Sequence, residues 1–319
     1  MQIPVIDLEK QSEAEVLAAI EGACLDTGFF VLAGHGVPTE LIDAAFAEAK
    51  RFFQTSPEEK MAMWTDGKVA DRGYFPIGLQ SLDPGTPRDL SEFVMLGVDV
   101  PEEHPLVQAG TPMYGPNPWP SGMPGWKETM SAYHEATMDL GRRVLSMFAK
   151  NLKLDPNHFE PLAKLPIVTL KLSWYPPRPG DAVEGQHGAG AHTDWGAVTF
   201  VAGDGNPGLQ VQTRDGEWLD VPAIPGTYVV NVGDMMQRWT NDRYRSNPHR
   251  VLSFPDQERF SLVTFFDMDY HANLEVFPSC TSDSEPARYE PMLAGEYLMY
   301  RYEESLSVVT DRIAEEQAG

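Results

Sequence analysis

The sequence has little cysteine, little basic charge and no long apolar run. Cys24 and Cys280 are its two cysteines and stand far apart, which excludes a disulfide framework and any CxxC metal or redox motif. No uninterrupted apolar run of about 18 residues occurs, so no membrane-spanning helix is expected. Lys+Arg number 24 against Asp+Glu 47, and the formal charge of −23 opposes binding to nucleic acid or to an anionic membrane surface.

The chain does contain enough apolar material to fold. Hydrophobic residues make up 42% of its 319 residues, and 15 Phe, 11 Tyr and 7 Trp can fill a core, which excludes disorder of the whole chain. Its first residues carry no basic cluster and lead into acidic Asp7 and Glu9, so no secretory or transit signal is expected. Together with two inert thiols, this favours a cytoplasmic protein.

The first 165 residues mix helical and strand patterns. Their periodicity predicts strands at 3–7 and 28–32 and helices at 13–24, 38–53 and 126–152. Ser56, Pro57 and Glu59 stand in the order of an N-cap, a first-turn proline and an early carboxylate, which predicts a further helix start. Between Pro76 and Trp126 proline and glycine are dense, which predicts an irregular segment.

Beyond Pro166 short β-rich runs recur every eight to twelve residues, as in a sandwich or barrel of antiparallel strands. The runs cover 167–175, 191–202, 209–213, 218–221, 228–232, 249–254 and 260–266. A last helix is predicted over 291–305, with Pro291 at its start. We expect an α+β fold with a mainly β core, a jelly roll (double-stranded β-helix) flanked by helices. The expected organisation is one domain over 1–319, with a mixed region at 1–165, the core at 166–270 and a helical extension at 271–319.

Two histidines and an aspartate lie on predicted strands of this core. His192 and Asp194 are two residues apart and are expected to share a strand face, and His249 opens another predicted strand. Each motif alone is common, and a lone histidine is more often structural. Two His and one carboxylate together form the ligand set of non-haem Fe(II) oxygenases, which leaves positions for a co-substrate and O2. Structural zinc typically has four protein ligands, often Cys, so the set favours open catalytic iron.

A second group of polar residues suits a carboxylate. Arg259 and Ser261 are also two apart on one predicted strand, and a guanidinium offers a planar fork of donors that matches a carboxylate. Tyr175 lies on the more polar face of its predicted strand and can act as a donor. The alternative for Arg259 is an ordinary surface cation.

Several segments resemble, in order, the isopenicillin N synthase-like 2-oxoglutarate/Fe(II)-dependent oxygenases. They are 192–196, 206–211, 229–234, 239–244 with 249–251, and 259–261, preceded by 3–8 and 28–38. The resemblance implies a jelly roll in which His192, Asp194 and His249 bind the metal. It also implies that Arg259, Ser261 and Tyr175 hold the distal carboxylate of 2-oxoglutarate. Many relatives have Asn two residues before that tyrosine, whereas this chain has Ser173.

The function implied by this resemblance is a dioxygenase that uses Fe(II), 2-oxoglutarate and O2. It would oxidise a small organic substrate by hydroxylation, desaturation or ring closure and release succinate and CO2. Two alternatives stay open: an oxidase of the isopenicillin N synthase type that does not use 2-oxoglutarate, and a non-catalytic ligand-binding protein with the same fold. The sequence does not predict the substrate or the oligomeric state.

Other residues are candidates for the surroundings of the site. Tyr74, Phe75 and Phe266 are expected to form an apolar wall. Arg72 is a candidate partner either for a substrate carboxylate or for a structural ion pair. Two further residues flank a predicted tight turn: Asn231, a candidate neighbour of the metal, and Asp234, to which we assign a turn role.

Overall fold

The computed structural model describes residues 2–65, 72–79, 81–83 and 86–303. Its helices are α1 (Glu13–Leu25), α2 (Thr39–Phe53), α3 (Pro57–Met61), α4 (Pro105–Gln108), α5 (Trp126–Asn151), α6 (Asp234–Trp239) and α7, whose described part is 294–303. Short 3-10 turns cover Glu160–Leu162 and Pro278–Cys280. Within these residues, no helix is long and apolar enough to cross a membrane.

The strands form two sheets of unequal size and a small ribbon. They are β1 (Val5–Asp7), β2 (Phe29–Ala33), β3 (Gly73–Phe75), β4 (Glu92–Leu96), β5 (Val168–Tyr175), β6 (Ala189–His192), β7 (Val198–Gly203), β8 (Leu209–Gln212), β9 (Trp218–Asp220), β10 (Tyr228–Val232), β11 (His249–Val251), β12 (Arg259–Phe266), β13 (Asn273–Leu274) and β14 (Met292–Leu293). The large sheet has the order β1-β2-β10-β7-β12-β5-β4-β3, and the small sheet has the order β6-β11-β8-β9. The N-terminal region therefore supplies four strands to the same sheet as β5, β7, β10 and β12.

Helices cover one face of the large sheet. The apolar stripe of α5 buries Trp126, Tyr133 and Phe148 completely, and these side chains share a core cluster with Phe200 of β7 and Leu262 of β12. A helix of this length with one apolar stripe is stable chiefly because it packs on such a surface. The helical layer thus fixes the large sheet from behind and leaves its other face for the small sheet.

The second face of the large sheet looks onto the small sheet. A separate apolar cluster joins Phe29 and Val229 of the large sheet to Leu209, Val211 and Val251 of the small sheet. Side chains alternate between the two faces of a strand, so every second residue of β5, β7, β10 and β12 points into the space between the sheets. We call this side of the large sheet its inner face.

Two helix starts carry reciprocal caps. The Ser12 amide donates to Glu15 Oε2 at 2.8 Å while the Glu15 amide donates to Ser12 Oγ. Ser56 and Glu59 form the same arrangement at the start of α3, as its sequence predicts. Caps of this kind contribute about 1 kcal/mol each and define where the helices begin.

The predicted strand over 191–202 is wrong in a way that matters for the site. The chain forms β6 in the small sheet and β7 in the large sheet, and residues 193–197 cross from one sheet to the other. A Cβ at Gly196 would collide with the Asp267 carboxylate, so this crossing needs glycine. Because the residues on both sides of the crossing favour strands, the sequence pattern does not show where the chain changes sheets.

Three further predictions need correction. The segment 76–126 contains β4 and α4, because its prolines and glycines flank the run Glu92–Leu96 and leave it free to pair with β5. Pro291 precedes β14, whose pairing with β13 delays α7 until Ala294; the predicted helix end at Ser305 lies outside the described residues. Asp234 begins α6 and does not lie in a simple turn.

Candidate active site

The predicted metal ligands come together between the two sheets. His192 ends β6 and His249 begins β11, and the two residues are register partners in the small sheet. Asp194 lies beyond the strand in the crossing loop, so the expected shared strand face is not what joins it to His192. Its Oδ1 lies 3.8 Å from His192 Nε2 and 3.6 Å from His249 Nε2. One donor atom from each residue lies within 4.8 Å of the others, an arrangement that suits a single metal ion.

The main chain sets the tautomer of both histidines. His192 Nδ1 lies 2.8 Å from Gly190 O, and His249 Nδ1 lies 3.4 Å from Asn247 O. Because a carbonyl oxygen only accepts, each Nδ1 carries the proton and each Nε2 presents a lone pair to the cluster. Burial, reinforced by the neighbouring His249 ring, lowers the pKa of His192 from 6.5 to about 3. The imidazole is therefore neutral near pH 7, the form that binds a metal.

Neighbouring side chains hold the Asp194 carboxylate. Asn231 Nδ2 donates to its Oδ2 at 2.7 Å, and the Thr199 side chain adds a second hydrogen bond. Burial raises the pKa of Asp194, but His249, His192 and these hydrogen bonds outweigh it and leave the pKa below its ordinary value of 3.8. The carboxylate is ionised, with Oδ1 toward the histidines. Asn231 thus contacts the cluster, as its sequence position suggests.

Arg259, Ser261 and Tyr175 share the inner face of the large sheet. Across β12 and β5, Arg259 pairs with Tyr175 and Ser261 pairs with Ser173. The Arg259 guanidinium carbon lies 5.2 Å from the centre of the Tyr175 ring. Arg259 is only 6% exposed, so the alternative of a surface cation is wrong.

This polar group contains donors that the protein does not satisfy. Among the described residues, Arg259 Nε and Nη1, Ser261 Oγ and Ser173 Oγ are buried and have no hydrogen-bond partner. A buried cation without a partner is costly, and native proteins rarely keep one without a use. The donor set fits an anionic group with several acceptor oxygens, such as the distal carboxylate of 2-oxoglutarate.

The expected aromatic wall is only partly present. Tyr74 pairs with Val94, so it faces the helical layer, and its hydroxyl donates to the Glu92 carboxylate. Phe266 also points away from the inner face and packs beside Gly141 of α5. The prediction for Tyr74 and Phe266 is wrong because alternation along β3 and β12 places both side chains on the face that packs against the helices.

Phe75 is the member of the wall that lies on the inner face. Its ring stacks on Phe93 with centres 4.8 Å apart and planes 15° apart, and Phe93 is the register partner of Ser173. Arg72, by contrast, is 2% exposed, and its guanidinium donates to the Asn117 side chain and to the carbonyl of Met113. The Arg72 guanidinium is thus hydrogen-bonded inside the protein, which argues against a role in substrate binding.

A buried carboxylate near the metal strand was not foreseen. Asp89 is 2% exposed and accepts hydrogen bonds from the amides of Gly190 at 2.9 Å and Leu82 at 3.3 Å. Burial raises its pKa to about 6. Asp89 belongs to the segment predicted to be irregular, and no spacing or motif there connects it with the strand that ends in His192.

Two family models match this chain. The model described as non-haem dioxygenase in morphine synthesis N-terminal matches residues 3–122, and that of the 2OG-Fe(II) oxygenase superfamily matches residues 164–268. The 2-oxoglutarate-Fe(II) type oxidoreductase hxnY of Emericella nidulans is 34% identical over 307 residues, which cover 95% of this chain and 88% of that protein. The chain belongs to the isopenicillin N synthase-like 2-oxoglutarate/Fe(II)-dependent oxygenases.

Solved structures of similar proteins show the same fold. A full-length Neurospora crassa protein, solved in complex with alpha-KG, has a TM-score of 0.82 and 29% identity, covering 94% of this chain and 95% of that chain. JOX2 in complex with 2OG, Fe and JA has a TM-score of 0.80 and 28% identity, covering 94% and 85%. The protein is therefore a 2-oxoglutarate-dependent non-haem iron dioxygenase, with Fe(II) as cofactor and 2-oxoglutarate and O2 as co-substrates.

Proposed function

We propose that His192, Asp194 and His249 hold the Fe(II) ion. Both Nε2 atoms and Asp194 Oδ1 converge, and the hydrogen bonds at each Nδ1 and at Asp194 Oδ2 keep them in that orientation. When bound, the iron would supply the chemistry by which O2 oxidises 2-oxoglutarate to succinate and CO2 and oxidises the primary substrate as well. The protein's part at this end is to keep two neutral imidazoles and one carboxylate in place while other positions on the metal stay open.

We further propose that Arg259, Ser261 and Tyr175 bind the distal carboxylate of 2-oxoglutarate. The observation that carries this assignment is the buried guanidinium of Arg259 on the inner face of the sheet, whose Nε and Nη1 atoms have no hydrogen-bond partner among the described residues. A fixed cation offsets the cost of bringing a dianion into a buried site of a protein with net charge −23. An oxidase that does not use 2-oxoglutarate does not require a site for this dianion, so the buried cation favours the dioxygenase over that alternative.

The substrate is proposed to be a small organic molecule with an apolar or aromatic body. Phe75 and Phe93 form a stacked wall on the inner face, and the Lys171 ammonium lies 4.0 Å from the Phe93 ring centre. Lys171 shares this face with Ser173, because both alternate with Leu172 along β5. Among similar structures, the Neurospora crassa protein has been solved with thymine and JOX2 with JA, both small molecules. A nucleic-acid substrate is disfavoured by the net charge.

We also propose that the two facing sheets are the two halves of a jelly roll. The inner cluster that joins them supports this description, since it contains side chains of both sheets. The four strands that the N-terminal region adds to the large sheet support one oxygenase domain over 1–319. The cytoplasmic location stays a prediction.

The proposed function is tested by succinate release. Purified protein with Fe(II), 2-oxoglutarate and O2 is incubated with a panel of small heterocycles and organic acids, and succinate and oxidised product are measured together. We expect succinate in proportion to product and none when 2-oxoglutarate is omitted. Oxidised product without succinate would establish the oxidase alternative. Ligand binding without any oxidation across the panel would favour the non-catalytic alternative.

A further inference from the structure

The C-terminal helix contacts the loop that carries Asp194. Within the described part of α7, the Tyr302 ring meets the Trp195 ring edge-on, with centres 4.8 Å apart and planes 88° apart. The guanidinium carbon of Arg301 lies 5.6 Å from the centre of the same Trp195 ring. Trp195 directly follows Asp194 in the chain, so α7 packs against the residue next to a metal ligand.

An ionic contact reinforces this packing. Arg301 Nη1 pairs with Asp234 Oδ2, and Thr193 Oγ1 donates to the same oxygen at 3.1 Å. The Asp234 amide in turn donates to the main-chain carbonyl of Asp194 at 2.8 Å. Asp234 therefore links α7 to the residues on both sides of the peptide between Thr193 and Asp194.

The surroundings of the pair make it more than an ordinary surface contact. The Arg301 and Asp234 side chains are 25% and 15% exposed, whereas the Arg142–Asp139 pair on α5 is 44% and 71% exposed. Salt and water screen exposed pairs strongly, and such pairs contribute little to stability. A partly buried pair with a second donor on the same oxygen can hold the loop in one conformation.

We propose that Arg301 is a positioning residue for the metal site. Through Asp234 and Trp195 it holds the loop 193–196 in the conformation in which Asp194 Oδ1 faces both histidines. Docking of α7 then raises the affinity of the site for its metal, although none of the three proposed ligands comes from the described part of α7. This inference rests on the proposed role of Asp194 as an iron ligand.

The test measures the affinity for Fe(II) alone, by anaerobic titration of the full-length metal-free protein. Substitutions that remove outer contacts of metal ligands typically weaken metal binding by about 10- to 100-fold. We expect Arg301→Ala to raise the Kd for Fe(II) by about tenfold, at the low end because Arg301 acts through other residues. Arg301→Lys should recover part of the affinity, since an ammonium keeps the ion pair with Asp234. Arg142→Ala, the matched control on an exposed pair, should leave the Kd unchanged.

Asp234→Asn provides a second variant should Arg301→Ala fail to fold. Both substitutions disrupt the same contact between Arg301 and Asp234. The double variant should therefore have about the same Kd for Fe(II) as the single variant with the higher Kd. At saturating iron, the KM for 2-oxoglutarate should stay at its wild-type value in Arg301→Ala.

An unchanged Kd for Fe(II) in folded Arg301→Ala or Asp234→Asn overturns the positioning role. If Asp194→Ala loses iron in the same titrations, that failure leaves the proposed ligand set intact. Normal iron binding by Asp194→Ala would instead overturn the ligand set itself.

Discussion

The two ends of the candidate active site differ in how far the protein satisfies its own polar groups. At the metal end, each histidine Nδ1 has a carbonyl acceptor, and Asp194 Oδ2 accepts from Asn231. At the other end, Arg259 and Ser261 carry buried donors that have no partner among the described residues. The proposed metal ligands are thus held in orientation by the protein itself, whereas the donors of the proposed carboxylate site still have hydrogen bonds to offer to a bound anion.

This difference follows from what each ligand needs. A metal ion requires donor atoms fixed in position and tautomer. Hydrogen bonds between the ligands and neighbouring groups fix them in this way. A carboxylate brings its own acceptor oxygens, so its site must keep donors free and accept the cost in the absence of ligand. Substitutions at the two ends should therefore have opposite effects on the stability of the ligand-free protein.

The largest effect is expected from removal of a metal ligand. His249→Ala takes one of three donor atoms from the cluster and should abolish both Fe(II) binding and turnover while the fold persists. Anaerobic iron titration and circular dichroism measure the two properties. His271→Ala, which removes an exposed histidine, is the control and should bind iron normally. Normal turnover by His249→Ala would show that this residue is not a ligand.

Removal of the buried cation should come next in size. Charge-assisted hydrogen bonds contribute about 1.5 to 3 kcal/mol, so Arg259→Ala should raise the Kd for 2-oxoglutarate by about tenfold or more. Iron binding should persist, because within the described part of the chain no hydrogen bond or ion pair joins Arg259 to a proposed metal ligand. Arg288→Ala, at an exposed cation paired with Asp242, serves as the control. An unchanged Kd for 2-oxoglutarate in Arg259→Ala would contradict the carboxylate assignment.

The grouping of residues in the proposed carboxylate site could mostly be predicted from the sequence. Arg259 and Ser261 lie on one regular strand, and alternation over three residues is a local rule that β12 obeys. The same rule succeeded for Tyr175 on β5 and failed for His192 and Asp194, because the chain leaves the strand after His192.

The contacts that support the proposed metal ligands were harder to predict because they are long-range. Asn231 reaches Asp194 from a strand 37 positions away in the chain, and Asp89 reaches Gly190 across 101 positions. Such contacts depend on strand order and on the crossing between sheets, neither of which a single local pattern encodes. The prediction for α7 failed for a similar reason, since the pairing of β14 with β13 decides where that helix begins.

A smaller effect is expected from the support of Asp194. Asn231→Ala removes the donor to Oδ2 and should weaken Fe(II) binding by about tenfold. It should also destabilise the metal-free protein by about 1 to 3 kcal/mol, since a buried carboxylate oxygen loses its partner. Iron titration and thermal unfolding of the metal-free protein test both parts. If Asn231→Ala is as stable as the wild type, the claim that substitutions at the two ends have opposite effects on stability is wrong.

The smallest effects are expected from Ser261 of the proposed carboxylate site and from its register partner Ser173 on β5. Ser261→Ala should weaken 2-oxoglutarate binding by about 0.5 to 1.5 kcal/mol, the contribution of one neutral hydrogen bond. Because its Oγ is buried and has no hydrogen-bond partner among the described residues, the same substitution should leave the stability of the ligand-free protein unchanged or raise it slightly. Ser173→Ala should behave alike, and Thr264→Ala, which removes a hydroxyl bonded to Thr137 behind the sheet, should destabilise instead. Thermal unfolding without ligand separates these outcomes.

The separate roles of the two ends of the site are tested most directly by measuring the binding of both ligands in one variant of each end. Anaerobic titrations measure the Kd for Fe(II) alone, and then the Kd for 2-oxoglutarate at saturating iron, in Asn231→Ala and in Arg259→Ala. We expect Asn231→Ala to weaken only iron binding and Arg259→Ala to weaken only 2-oxoglutarate binding, each by about tenfold or more. Equal loss of both ligands in either variant, or unchanged 2-oxoglutarate binding in Arg259→Ala, would contradict these separate roles.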